Sequence, residues 1–128
     1  MNAAQMFILR HMRRTLAPMA VAALLAGCAP TPGRPPDQGD RFSYRIANSP
    51  YAAAICIARN ARARDGQTAE ERTVGSSSTE VIVRSRGGEA LALARVDNDG
   101  TFSNVAVLVT PAVRSDRENF ARQLLAGC

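Results

Sequence analysis

The chain has 128 residues, 46% hydrophobic and 21% charged, with 16 Lys+Arg against 11 Asp+Glu and a formal net charge of +5. That length allows one domain with a modest core once any leader is set aside, and it excludes two. All the basic residues are arginines, and there are no tryptophans and only 5% aromatics, so the basic patch with stacking rings that nucleic acid requires is missing.

The first segment is an address. Arg10, Arg13 and Arg14 make a basic start, and Leu16 to Ala26 is an eleven-residue apolar run rich in alanine and leucine, the layout of a signal peptide. A bilayer core needs ~20 residues as a helix, and Pro18 weakens a permanent span further. Met12-Arg13-Arg14 with the apolar run already forms a complete leader, so Met12 is a second candidate start. The run ends in Leu25-Ala26-Gly27-Cys28.

This tetrapeptide resembles the lipobox of bacterial lipoprotein precursors, which reads leucine, two small residues, then cysteine. The resemblance covers the leader alone. It implies that Cys28 receives a diacylglyceryl thioether, that a peptidase cuts between Gly27 and Cys28, and that the new amino group is then acylated. Ala29 follows in place of the aspartate that favours inner-membrane retention in enteric lipoproteins, so by the same analogy the outer membrane is the expected destination, facing the periplasm. With residues 1–27 removed, thirteen arginines face eleven acids, a net +2. The precursor's basicity is therefore no argument for a polyanionic partner.

From Ala29 to Asp40 the sequence APTPGRPPDQGD has four prolines and no large apolar residue. With Cys28 it reads as a lipidated, proline-rich tether over 28–40 that reaches roughly 35 Å at ~3 Å per residue. The folded domain then spans 41–128. Phe42, Tyr44 and Ile46 alternate with polar neighbours and predict an edge strand. Ser49-Pro50 is a helix start, serine as N-cap and proline at the first position. The helix carries Ala54, Ile57, Ala58 and Ala61 as its apolar stripe and stops near Asp65-Gly66. Residues 67–78 are polar without period and read as a mobile loop with at most a short strand near Val74.

Three clearer strands follow, around TEVIVRSR, EALALARVD and TFSNVAVLV, separated by Gly87-Gly88 and by Asp97-Asn98-Asp99-Gly100, both turn chemistry. Alternation assigns Val81, Val83, Leu91, Leu93, Val105, Val107 and Val109 to the core. Ser115-Asp116-Arg117-Glu118 is a capping-box pattern that opens a final helix with Phe120, Ala121, Leu124, Leu125 and Cys128 on one side. The expected class is α+β: a three- to four-stranded antiparallel meander covered by two helices, in the order (β)-α-β-β-β-α.

With Cys28 taken by lipid, Cys56 and Cys128 remain, an even pair for an oxidising compartment, and a disulfide between the helices is expected. Free buried thiols or an intermolecular pair are the alternatives. Against the bridge, Cys56 lies off the 54-57-58-61 stripe on a helical wheel. The repeat of LLAGC at 124–128 is a helix end and not a second lipidation site, since Arg117, Glu118 and Arg122 interrupt the apolar run.

Catalytic patterns are sparse. The single histidine is His11, ahead of the cleavage site, which removes histidine triads and the usual zinc ligands from the mature domain. Asp97-Asn98-Asp99-Gly100 resembles half of a calcium loop, but Arg95 and Ala106 occupy its first and last ligand positions. Glu70, Glu71, Glu80 and Glu89 read as solvated surface acids, and Ser76 to Ser78 as loop residues with no base in sight. Arg84, Arg86 and Arg95 are a candidate anion site, with pairing to Glu80 and Glu89 as the plainer alternative. No metal, cofactor or nucleic acid is expected. The reading is a non-enzymatic accessory lipoprotein of the cell envelope that meets another envelope protein. The alternatives are an inhibitor or sensor of something entering the periplasm, which calls for an ordered protruding loop at 67–78, and a cell-wall hydrolase, which calls for two converging carboxylates.

Overall fold

A computed structural model describes residues 35–128. The leader, the Gly27–Cys28 junction and the first part of the tether lie outside the described residues. Strand β1 (Asp40–Ile46) leads into helix α1 (Pro50–Arg62). Strands β2 (Thr68–Val74), β3 (Ser78–Arg84), β4 (Ala90–Asp99) and β5 (Phe102–Val109) follow, and helix α2 (Arg117–Leu124) comes last. The strands form one sheet in the order β1-β5-β4-β3-β2, with every neighbouring pair antiparallel. Both helices pack on one face, which makes a two-layer α+β domain with five strands.

The additional strand is β2, in the segment that reads as a loop. Its inward positions Ala69, Glu71 and Thr73 carry no apolar alternation because it is an edge strand that α1 only partly covers. Seven residues in register with β3, from Thr68 opposite Arg84 to Val74 opposite Ser78, hold it instead. Arg62 of α1 fastens it further, donating to the Ala69 carbonyl at 2.8 Å and pairing with Glu71 at 3.3 Å. Charged side chains on such an edge also discourage pairing with other chains.

Helix α1 begins as its sequence dictates. The Ser49 hydroxyl accepts from the Ala52 N–H at 3.3 Å, and Pro50 occupies the first turn, where its missing N–H costs nothing. Ala53, Ala54, Ile57, Ala58 and Ala61 are buried against β2, β3 and β4. Facing them is Ala92-x-Ala94-x-Val96, and not Leu91 and Leu93 as alternation suggests. The phase of β4 is set by a bulge: Val83 pairs with Ala92 but Arg84 with Ala90, so Leu91 is the extra residue. Leu91 reaches the rim of the core, and Leu93 points to the opposite face, beside Ile82 and Leu108 in register. Alanines on both surfaces allow a close helix-to-sheet approach that leucine at 92 or 94 would prevent.

Helix α2 covers β5 and β1 with Phe120, Ala121 and Leu124. Its N-cap is Asp116, one residue later than the capping-box pattern suggests. The Asp116 carboxylate accepts from the Asn119 N–H at 3.0 Å, with the backbone of Asp116 left-handed at φ 40°. Asp tolerates that conformation better than most residues. The chain meets β1 through Gly39 at φ 146°, where a Cβ would lie 2.0 Å from the Val109 carbonyl oxygen. Gly39→Ala is expected to cost about 1–3 kcal/mol by straining the start of β1. Urea denaturation checks this, with an unchanged midpoint counting against a tight approach there.

Candidate functional site

The two ends of the sheet differ. Asp40 opens β1 opposite Val109 at one end, where Arg117 of α2 pairs with it at 3.0 Å. At the other end Ile46 lies opposite Ser103, and there α1 starts, the β2–β3 and β4–β5 turns close, and the chain returns after α2.

The sulfurs of Cys56 and Cys128 are 2.08 Å apart, a disulfide with Cα atoms separated by 5.7 Å. Cys56 leaves the buried stripe of α1 on the flank turned toward α2, so its position off that stripe is what directs it to Cys128. One turn on, Asn60 lies on the same flank. Its amide donates to the carbonyls of Leu124 at 2.9 Å and Ala126 at 2.8 Å, capping orphaned acceptors at the end of α2. Asn48 donates to the Cys128 carbonyl, and Ser103 donates to the Asn48 carbonyl at 2.5 Å. None of these polar residues stands out in the sequence. The usable signal is the i, i+4 spacing of Asn60 from Cys56.

The face opposite the helices carries two rows. Ile82, Leu93 and Leu108 form an apolar one across β3, β4 and β5. Beside it runs a charged one: Arg72 pairs with Glu80 at 2.5 Å, and Arg95 lies opposite Glu80 in register and meets Asp97 at 3.3 Å. Glu80 is only 7% exposed, which corrects its reading as a solvated acid. It sits between two arginines because β2 stands next to β3. A hydrogen bond from Ser78, and then Arg95, hold the Asp97 carboxyl below its ordinary value of 3.8 against the opposing effect of burial. Its contribution to stability is therefore present above about pH 4 and is lost as pH falls through the depressed value.

Arg84, Arg86 and Arg95 are not brought together. Arg84 donates to the Gly88 carbonyl at 3.2 Å, Arg86 meets Asp65 at 3.5 Å outside the sheet, and Arg95 belongs to the charged row. The Ile82–Leu93 pair separates Arg84 from Arg95. Among the four glutamates, Glu71 serves Arg62 on the helix side and Glu80 serves Arg72 on the other. The Asp97–Gly100 segment is not itself the turn. Strand β4 continues through Asp99 opposite Phe102, and Gly100 at φ 66° with Thr101 closes the hairpin. Asp99 there pairs with Arg45 at 3.5 Å, and the Arg45 guanidinium stacks 4.3 Å from the Phe102 ring centroid. Among the described residues no three histidine, cysteine or carboxylate side chains are grouped as a metal-ligand set.

No family model, curated protein or solved structure matches this chain. The bridge closes a loop of sequence separation 72, worth roughly 4 kcal/mol as an upper figure in the chain-entropy model. Reducing it is expected to lower the urea midpoint and to speed amide exchange in residues 117–124 first. A midpoint insensitive to reductant contradicts this.

Proposed function

We propose that the chain is a lipid-anchored cell-envelope protein whose periplasmic domain is a non-enzymatic accessory module docking on another envelope protein. The observation that carries this reading is the division of the three cysteines. Cys28 closes the Leu25-Ala26-Gly27-Cys28 motif, and the other two are within bonding distance of each other. A domain of this size with a bridge in its core suits an oxidising compartment, and a lipid on Cys28 leaves no odd thiol. A tether over 28–40 then joins β1 to the membrane, with the outer membrane as the destination in this reading.

An accessory role draws support from how the charged side chains are used. Arg62, Arg72, Arg86, Arg95 and Arg117 are each engaged with an acid of the same domain. The inhibitor or sensor reading depended on a protruding loop at 67–78, and most of that segment is β2, with only Gly75, Ser76 and Ser77 left between the strands.

Cross-linking in intact cells followed by detergent extraction and capture tests the proposal, with Cys28→Ala as control. The expected result is one stoichiometric protein partner with the native chain and its loss, together with loss of detergent-phase partitioning, with Cys28→Ala. Partitioning of the native chain into the aqueous phase contradicts the anchor, and absence of a partner in both samples contradicts the docking role.

A further inference from the structure

At the end of the sheet away from Asp40, the start of α1, the β2–β3 turn and the end of β4 enclose a shallow depression. Ser49, Tyr51, Thr73, Ser76, Thr79 and Asn98 are among the residues lining it. Its lining contains no charged residue, although the domain is rich in arginine and acid. The charges at this end, Arg45, Asp97 and Asp99, lie on the other face of the sheet and are engaged there.

Two of the lining hydroxyls are committed: Ser49 caps α1 and Ser78 donates to Asp97. The side chains of Thr73, Ser76, Thr79 and Asn98 and the Tyr51 hydroxyl have no hydrogen-bond partner among the described residues. They offer several donors and acceptors within one concavity. Beside them Tyr51 is 72% exposed, an aromatic ring held on the first turn of a helix with nothing of the domain packed over it. One turn along, Ile55 is also exposed and extends the apolar strip. Contiguous exposed apolar surface, unlike scattered single residues, marks contact sites, and Tyr51 and Ile55 are neighbours at i, i+4 on one helix face.

An anion would need cations, which the lining lacks, or free N–H groups at the start of α1, where Pro50 has none and those of Ala52 and Ala53 are bonded to Ser49. A purely apolar ligand would leave the hydroxyls and the amide unpaired. A sugar ring matches both halves of the surface, since it has a flat face of C–H groups and an edge of hydroxyls or acetamido groups. An aromatic plane suits the face, and a few fixed polar groups set the orientation of the edge. We propose that this depression binds a neutral saccharide, one ring stacked on Tyr51 with its polar edge toward Thr73, Ser76, Thr79 and Asn98, and the next unit along Ile55. For a domain held by a tether at Asp40, the site lies at the end turned away from the attachment. The saccharide site depends neither on the lipid nor on the protein partner, so its failure leaves that reading standing.

The chain's tyrosine content provides the probe, because it has two tyrosines and no tryptophan. In Tyr44→Phe only Tyr51 emits. The full-length chain in detergent is titrated with chitotetraose, and in parallel with maltotetraose and with an oligouronate as a charged comparator. The expected result is a saturable change in Tyr51 emission with a neutral oligosaccharide and none with the oligouronate, with amide shifts confined to residues 49–55, 73–79 and 98. In the chain that keeps Tyr44, Tyr51→Ala is expected to weaken the binding followed by amide shifts at least about tenfold, equivalent to ~1.4 kcal/mol, with an unchanged melting temperature. Asn98→Ala weakens binding while leaving the Tyr51 emission of the free protein unaltered. No response to either neutral oligosaccharide overturns the proposal, as does equal binding by Tyr51→Ala. A photo-crosslinker at position 77, in the lining of the depression with Tyr51 kept, that captures only protein from intact cells also overturns it, in favour of a protein-docking surface.

Discussion

Cys128 follows α2 by a single turn and is bonded to the middle of α1, so the last segment of the chain and the first helix cannot part. The domain depends on that link more than its size in energy suggests. Helix α2 has eight residues, well short of the ~12–15 that sustain a helix alone in water, and it covers the half of the sheet that α1 does not reach. Its C-terminal carbonyls are met by Asn60 of α1 and its following residues by Asn48. Losing the link therefore leaves α2 held on the β1–β5 side by the burial of Phe120, Ala121 and Leu124 and by the Arg117–Asp40 pair, without a covalent tie to α1.

The link in turn requires α1 to lie at one height and one rotation. Small side chains supply the height: Ala53, Ala54, Ala58 and Ala61 above, Ala92 and Ala94 below, all buried. Rotation follows from Ile57, the largest inward side chain of the helix, which is fully buried in the same cluster as Val81 and Val83 of β3 and Val96 of β4. With α1 fixed in this way, Cys56 and Asn60 fall on the flank that looks toward α2. A leucine on the inner face of β4 would lift the helix and move both residues; Leu93 instead lies on the far side, in register with Ile82 and Leu108.

Much of this was legible because the signals were local. Ser49-Pro50 starts α1, the 54-57-58-61 stripe chooses its buried face, and Val105, Val107 and Val109 alternate as a half-buried strand does. The architecture of an antiparallel sheet under two helices follows from those elements and their order. What was not legible depends on contacts distant in sequence. Edge strand β2 gains its identity from pairing with β3, and its sequence carries no period of its own. The phase of β4 rests on one bulged residue, and either phase gives a plausible alternation. Asp116 displaces Ser115 as the cap of α2 by taking a left-handed backbone. Of the candidate site residues, Cys56 and Cys128 are together, whereas Arg84, Arg86 and Arg95 each answer to a different neighbour. Tyr51 and the hydroxyl-rich depression had no sequence signature, since serine and threonine in turns are ordinary and only the approach of three chain segments makes them a surface.

In the proposed reading the three cysteines have two fates, one lipidated at the membrane and two joined in the folded domain. The intact mass of the chain recovered from cell envelopes, after free thiols are blocked with an alkylating reagent, tests this directly. The expected result is a chain that begins at Cys28, carries diacylglyceryl and acyl mass on that residue, and takes up alkyl groups at Cys56 and Cys128 only after reduction. A chain that retains residues before Cys28 with its thiol alkylated, or one whose Cys56 and Cys128 are alkylated without reductant, contradicts it.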